Sequence, residues 1–176
     1  MTAEERTKLR LQKEQEYISY IKEHIENIQK AKLIVKDKWM IGTELEELIP
    51  EFEVACMSHD ASKYSQDEFD AYRRHFHPIN DEEKKNSKKD FDKAWEHHYM
   101  NNKHHWNYWV DRSVGVADRM PMVYILEMMA DWIAMSLKFH SSLYEWYYKK
   151  KEEIIFHPDT KAIVDRMVEE LKDMKF

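Results

Sequence analysis

The chain has 176 residues, 43% of them apolar and 35% charged, with two glycines and four prolines, a composition that excludes a disordered or collagen-like protein and favours long helices in one domain. Its 28 basic and 34 acidic residues give a net charge of -6 with the signs interspersed, which argues against general nucleic-acid binding, because that needs a basic footprint. The single cysteine, Cys56, excludes an intrachain disulfide and fits a reducing, cytoplasmic setting; the first residues are charged rather than signal-like, and apolar runs such as Met122 to Leu126 are far short of the ~20 residues a membrane helix needs.

In chain order, Tyr17, Ile21, His24, Ile28, Ala31 and Val35 recur at spacings of three and four, which predicts one long amphipathic helix from about Ala3 to Lys36. A connection around Gly42 follows, then two short helices, Glu44 to Ile49 and Glu51 to Ser58, separated by Pro50. Ser65 and Glu68 have capping-box spacing and open a helix that stops near Pro78. The next helix is expected from about Asp81, after Asn80, to Val110; its lysines Lys84, Lys85, Lys88 and Lys89 read as a solvated start. Asp111 to Asp118, with Gly115, reads as a loop. The segment from Pro121 to about Lys138 is apolar on nearly every side, so it belongs at the centre of a bundle. Two helices finish the chain, the last after His157-Pro158-Asp159-Thr160. The fold expected is all-α, a bundle of six to eight helices without a sheet.

Several polar side chains stand where apolar ones are expected. His59-Asp60-Ala61-Ser62-Lys63 places an imidazole and a carboxylate side by side, with a lysine three residues after the aspartate. His24 lies in line with the apolar face of the first helix, where a buried imidazole needs partners for its nitrogens; taken alone, it reads better as a satisfied core histidine than as a ligand. On a helical wheel, Phe91, Trp95, His98, Asn102, His105 and Trp109 form one stripe. That favours His98 and His105 as the inward pair over His97 and His104, which fall on a flanking strip. Asp131, with Glu127 one turn earlier, lies on the helix that is apolar all round, where a carboxylate is costly unless paired, protonated or bound to metal. A salt bridge to Lys138 is the structural alternative.

In order, His24, His59-Asp60, His98, His105 and Asp131 resemble the H...HD...H...H...D pattern of the HD superfamily of metal-dependent phosphohydrolases. The strings His-Asp-x-Ser-Lys at 59–63, Asn-x-His-His-Trp at 102–106 and Glu-Met-x-Ala-Asp-Trp at 127–132 are similar to a branch found in phages and bacteria. This resemblance covers about residues 17–160 and implies an HD-like helical metal-binding domain. It implies His24, His59, Asp60 and Asp131 as ligands of a first divalent metal, one of Mn, Fe, Co, Ni, Zn or Mg. His98 and His105 match the extra histidines of two-metal members, although here they stand on one predicted helix, so contact with a substrate phosphate is the other role open to them. In this reading the substrate is a nucleotide or other small phosphorylated metabolite. Lys63 supplies charge to its phosphate, Glu127 handles a proton, and Arg73 or Arg74 either bind a second phosphate or are solvated. Two further readings share the site: a di-iron oxygenase of the same fold, and a metal-stabilised binding module without turnover. Oligomeric state is not legible.

Overall fold

Sparse glycine and proline leave long stretches in which nothing interrupts the intrahelical hydrogen bonds, and helices dominate the computed structural model, which describes residues 2–176. Seven α-helices carry the described chain: α1 (Ala3–Val35), α2 (Ile49–Ser58), α3 (Phe69–Phe76), α4 (Asp81–Asn101), α5 (Met122–Phe139), α6 (Leu143–Lys150) and α7 (Pro158–Glu169). The all-α expectation holds with one small addition. The loop expected around Gly115 closes into a two-stranded antiparallel ribbon, β1 (Val110–Asp111) and β2 (Val116–Ala117), with Val110 opposite Ala117. Gly115 takes the left-handed conformation the turn requires (φ 68°), and the Asp111 carboxylate accepts hydrogen bonds from the Ser113 amide and hydroxyl.

Three boundaries differ from expectation, each for a local reason. Pro50 does not divide two helices but sits in the first turn of α2, where its missing N–H costs no hydrogen bond. Ser65 and Glu68 form no capping box; the Glu68 carboxylate is drawn to two histidines instead. The helix expected to reach Val110 ends at Asn101, because Asn102 leaves helical geometry and its side-chain amide donates back to the His98 carbonyl at 2.8 Å. The side chain satisfies a carbonyl that another helical turn would have used.

The described chain forms two compact units, residues 2–23 with 60–102, and residues 24–59 with 103–176. In the first, α3 packs against α4 around an aromatic core in which Tyr17 lies 5.2 Å from Phe69, and Tyr72 5.1 Å from Phe91, between ring centroids. Arg73 is buried here. Its guanidinium donates to both Glu83 oxygens at 2.8 and 3.1 Å and to Asp70 at 3.0 Å, while Arg74 pairs with Asp70 and Asp90. In the second unit, α5 is central as its apolar composition predicts. Leu126, Met129 and Ile133 of α5 share a core with Ile28 and Val35 of α1, Phe52 of α2, Tyr147 of α6 and Val164 of α7. No described helix is long and apolar enough to cross a membrane.

Burial raises the Glu83 carboxyl, but hydrogen bonds from Arg73 and from the Ile79 amide bring it below the usual carboxylate range. A depressed folded value means the stabilisation is present above the unfolded value and fades as pH falls through the folded one. Glu83→Ala leaves the Arg73 charge buried with Asp70 alone, and is expected to cost about 2–3 kcal/mol near neutral pH in urea unfolding, with the deficit shrinking towards pH 3.

Candidate metal centre

In the second unit, three elements each contribute one donor. The apolar stripe of α1 carries His24 inward beside Ile28; α2 ends at Ser58, so that His59 is the first residue outside helical geometry (φ -50°, ψ 127°); Asp131 projects from α5. His24 Nε2 lies 3.2 Å from Asp131 Oδ1 and 3.3 Å from His59 Nε2, and His59 Nε2 is 3.7 Å from the same Asp131 oxygen. Burial pushes the Asp131 carboxyl up, but hydrogen bonds and charge from His24 and His59 outweigh it and hold the group well below its ordinary range. Asp131 is therefore an anion facing two ring nitrogens.

One turn earlier on α5, Glu127 is buried behind those rings. Its Oε1 accepts from His59 Nδ1 at 3.0 Å and from His104 Nδ1 at 3.1 Å. Burial again raises the carboxyl, and the hydrogen bonds from His104 and His59 overcome it, bringing Glu127 down to about 2. The His59 and His104 rings stack at 4.2 Å and 30°, and His105 lies 4.2 Å from His104 between centroids.

These groups can hold a metal ion. His24, His59 and Asp131 offer one ligand atom each in a single tight group, as do His104, His105 and Asp131. A metal bound about 2.1 Å from nitrogen and oxygen donors sets neighbouring donors roughly 3.0 Å apart in an octahedron and about 3.4 Å apart in a tetrahedron. The separations of 3.2, 3.3 and 3.7 Å match one face of such a polyhedron. A carboxylate on the far nitrogen of His59 is the usual device for fixing a ligating imidazole.

The first unit holds its own chain of charges. Asp60 adopts a left-handed backbone conformation (φ 56°, ψ 19°) before the short turn Ala61–Tyr64. Its Oδ2 accepts from Lys63 Nζ at 2.6 Å, and its Oδ1 lies 3.2 Å from His98 Nε2. Glu68 receives His98 Nδ1 at one oxygen and His97 Nδ1 at the other, both at 2.8 Å. Burial lowers the His98 imidazole, but hydrogen bonds to Asp60 and Glu68 raise it overall; burial likewise raises Glu68, which its histidine partners bring down.

Of the residues singled out from sequence, His24, His59 and Asp131 meet within the second unit with Glu127 beside them. Asp60, His98 and Lys63 meet within the first. Lys63 is engaged with Asp60, and Asp131 is held by His24 and His59. The single stripe that carries His98 and His105 on the wheel is interrupted, because α4 stops at Asn101. Beyond that point the phase is lost, and His104 turns inward to 1% exposure while His105 is half-buried. The wheel puts His104 on the flanking strip, and the spacing of Ser65 and Glu68 reads as a cap. For His104 the signal available was Asn101-Asn102, two residues prone to leave helical geometry; for Glu68 there was none.

The fold and these groups define an all-α protein with buried histidine and carboxylate donors able to hold a metal ion. The chain belongs to the family described as "Family of unknown function (DUF5662)", which matches residues 13–170. No curated protein and no solved structure matches it significantly.

Because Glu68 serves two imidazoles, Glu68→Ala removes two charge-assisted hydrogen bonds from the first unit. The expected loss is roughly 2–4 kcal/mol in urea unfolding, with the amides of α3 and α4 exchanging faster with solvent deuterium.

Proposed function

We propose that the second unit binds a divalent transition-metal ion through His24 Nε2, His59 Nε2 and Asp131 Oδ1, and that the protein is a metal-dependent phosphohydrolase of nucleotides or other small phosphorylated metabolites. The observation that carries this reading is the donor triangle, with Glu127 set behind His59. Imidazole and carboxylate donors without thiolate suit Mn, Fe, Co, Ni or Zn, and three protein ligands leave positions open. The order of His24, His59-Asp60 and Asp131 in the chain, which resembles the HD pattern, supports the reaction class. When bound, such an ion supplies Lewis acidity that activates water and polarises a phosphoryl oxygen.

The chain's own residues then have separate duties. His24, His59 and Asp131 bind. Glu127 accepts the hydrogen bond from His59 Nδ1–H and so presents Nε2 as the ligating atom. Its hydrogen bond to His59 makes Glu127 a positioning residue, and the same resemblance gives it the proton-handling role. The same resemblance gives Asp60 a metal-binding role and Lys63 a phosphate-binding one; within the first unit the two side chains are paired.

Asp131→Ala and His24→Ala are expected to abolish stoichiometric metal uptake, measured by elemental analysis after dialysis, with helicity retained by circular dichroism. Wild-type protein that takes up no Mn, Fe, Co, Ni or Zn would sink the proposal. In a phosphatase screen across nucleotides with Mn, Mg, Co or Ni, Lys63→Ala is expected to keep the metal and lose activity by roughly 10²- to 10³-fold; an unaltered rate removes Lys63 from the mechanism. Co-purified iron with oxygen consumption and no phosphate release would favour the oxygenase of the same fold. Metal-dependent folding with neither activity would favour a binding module.

A further inference from the structure

We infer that a cavity between α5 and α6 is a binding site for a small, uncharged, planar aromatic molecule. The cavity lies wholly within the second unit, uses no residue of the donor triangle, and stands whether or not the metal-binding reading does.

The cavity has a volume of about 280 Å³ and is lined by Trp132, Met135, Ser136 and Phe139 of α5, Ser141 of the turn that follows, and Trp146 of α6. At about 100° per residue, the four α5 positions form one stripe centred roughly 90° round the helix from Asp131, so the cavity and the triangle occupy neighbouring sides of one helix. After α5 the chain reverses: His140 takes the left-handed conformation (φ 48°), and the amides of His140 and Ser141 both donate to the Ser136 carbonyl. This turn carries Ser141 back against the cavity.

Size and charge narrow the occupant. The volume is just under the roughly 300–1,000 Å³ of sites that take drug-sized ligands, so it suits one or two fused rings rather than a whole chain segment. No charged side chain lines it, and a charged ligand would lose its hydration there with nothing of opposite sign to offset the loss. The lining supplies flat surfaces instead. Trp132 and Trp146 meet edge to face, with ring centroids 5.1 Å apart and 64° between planes, and Trp146 and Phe139 remain 41% and 61% exposed. Aromatic faces left uncovered in this way are best met by a further ring, packed offset or edge-on.

One polar group fixes the kind of ring. Ser136 is only 5% exposed, yet its hydroxyl has no hydrogen bond among the described residues and opens on the cavity it lines. Buried hydroxyls are ordinarily bonded, so a ring that carries a hydroxyl, a carbonyl or a ring nitrogen supplies the missing partner, and a hydrocarbon does not.

The test is calorimetric titration of the full-length chain with naphthol, which is flat, uncharged at neutral pH and carries one hydroxyl, against its saturated counterpart decalol. Wild type is expected to bind naphthol at one site per chain with a dissociation constant below about 1 mM, and decalol at least about tenfold more weakly. Trp146→Ala is expected to weaken naphthol binding by about tenfold or more, and Ser136→Ala by roughly three- to tenfold, the worth of one hydrogen bond. Ser136→Ala removes a single oxygen, so it keeps the test decisive should Trp146→Ala fail to fold. Equal binding of the two alcohols overturns the aromatic assignment. Undiminished naphthol binding in both variants, or none in wild type, overturns the site. Decanoate held more tightly than naphthol would mean an acyl-chain site, and a wild-type dimer in sedimentation that Trp146→Ala dissociates would mean that a second copy covers the cavity; either result overturns the proposal. Metal uptake is read separately, so each of these outcomes leaves the metal-binding reading where it stood.

Discussion

Two carboxylates on the most apolar helix of the chain are the constraint around which the second unit is arranged. A carboxylate that is mostly removed from water costs several kcal/mol unless something offsets it, and α5 carries two of them one turn apart. Glu127 and Asp131 are both ionised, and imidazoles from three other places in the sequence offset them: the middle of α1, the end of α2 and the segment after α4. Because hydrogen-bonded pairs weaken steeply with distance, those elements must lie against α5 within a few tenths of an ångström. The apolar core of Ile28, Phe52, Leu126 and Met129 supplies that closeness; the polar contacts fix its register.

The first unit solves the same problem with a different composition. Its buried charges are Arg73, Glu68, Asp60 and His98, and each has an oppositely charged neighbour inside the unit. Arg73 has a rigid fork that two carboxylates can match, which is how an arginine on a short helix comes to be wholly enclosed. Its neighbour Arg74 is only partly enclosed and carries two ion pairs. Neither is placed as a freely solvated phosphate-binding arginine would be.

Much of this was legible in the residues. The helices were readable because a 3.6-residue apolar period persists through α1, α5 is apolar on nearly every side, and few glycines or prolines interrupt the chain. His24 and Asp131 were readable because each is a polar side chain at a position its helix reserves for apolar ones. His104 was misjudged because its direction depends on where α4 stops, and that is decided by a side-chain bond from Asn102, which a wheel extended by sequence alone carries straight past. Glu68 was misjudged because capping-box spacing is a local pattern, whereas its carboxylate is satisfied by histidines about 30 residues away in the chain. Pro50 illustrates the same ambiguity: a helix breaker by composition becomes a helix starter when it falls in the first turn.

The left-handed backbone at Asp60 ties two jobs to one residue. Glycine would occupy that conformation without strain, and an L-residue there gives up roughly 1 kcal/mol, somewhat less for Asp and Asn, whose short polar chains tolerate it. The chain keeps an acid where its backbone would favour glycine, and the acid holds both Lys63 and His98. The turn and the charge are separable by chemistry: Asp60→Asn and Asp60→Gly both discard the anion, but only glycine also relaxes the main chain. The loss common to both variants reports the electrostatics, and the difference between them reports the shape.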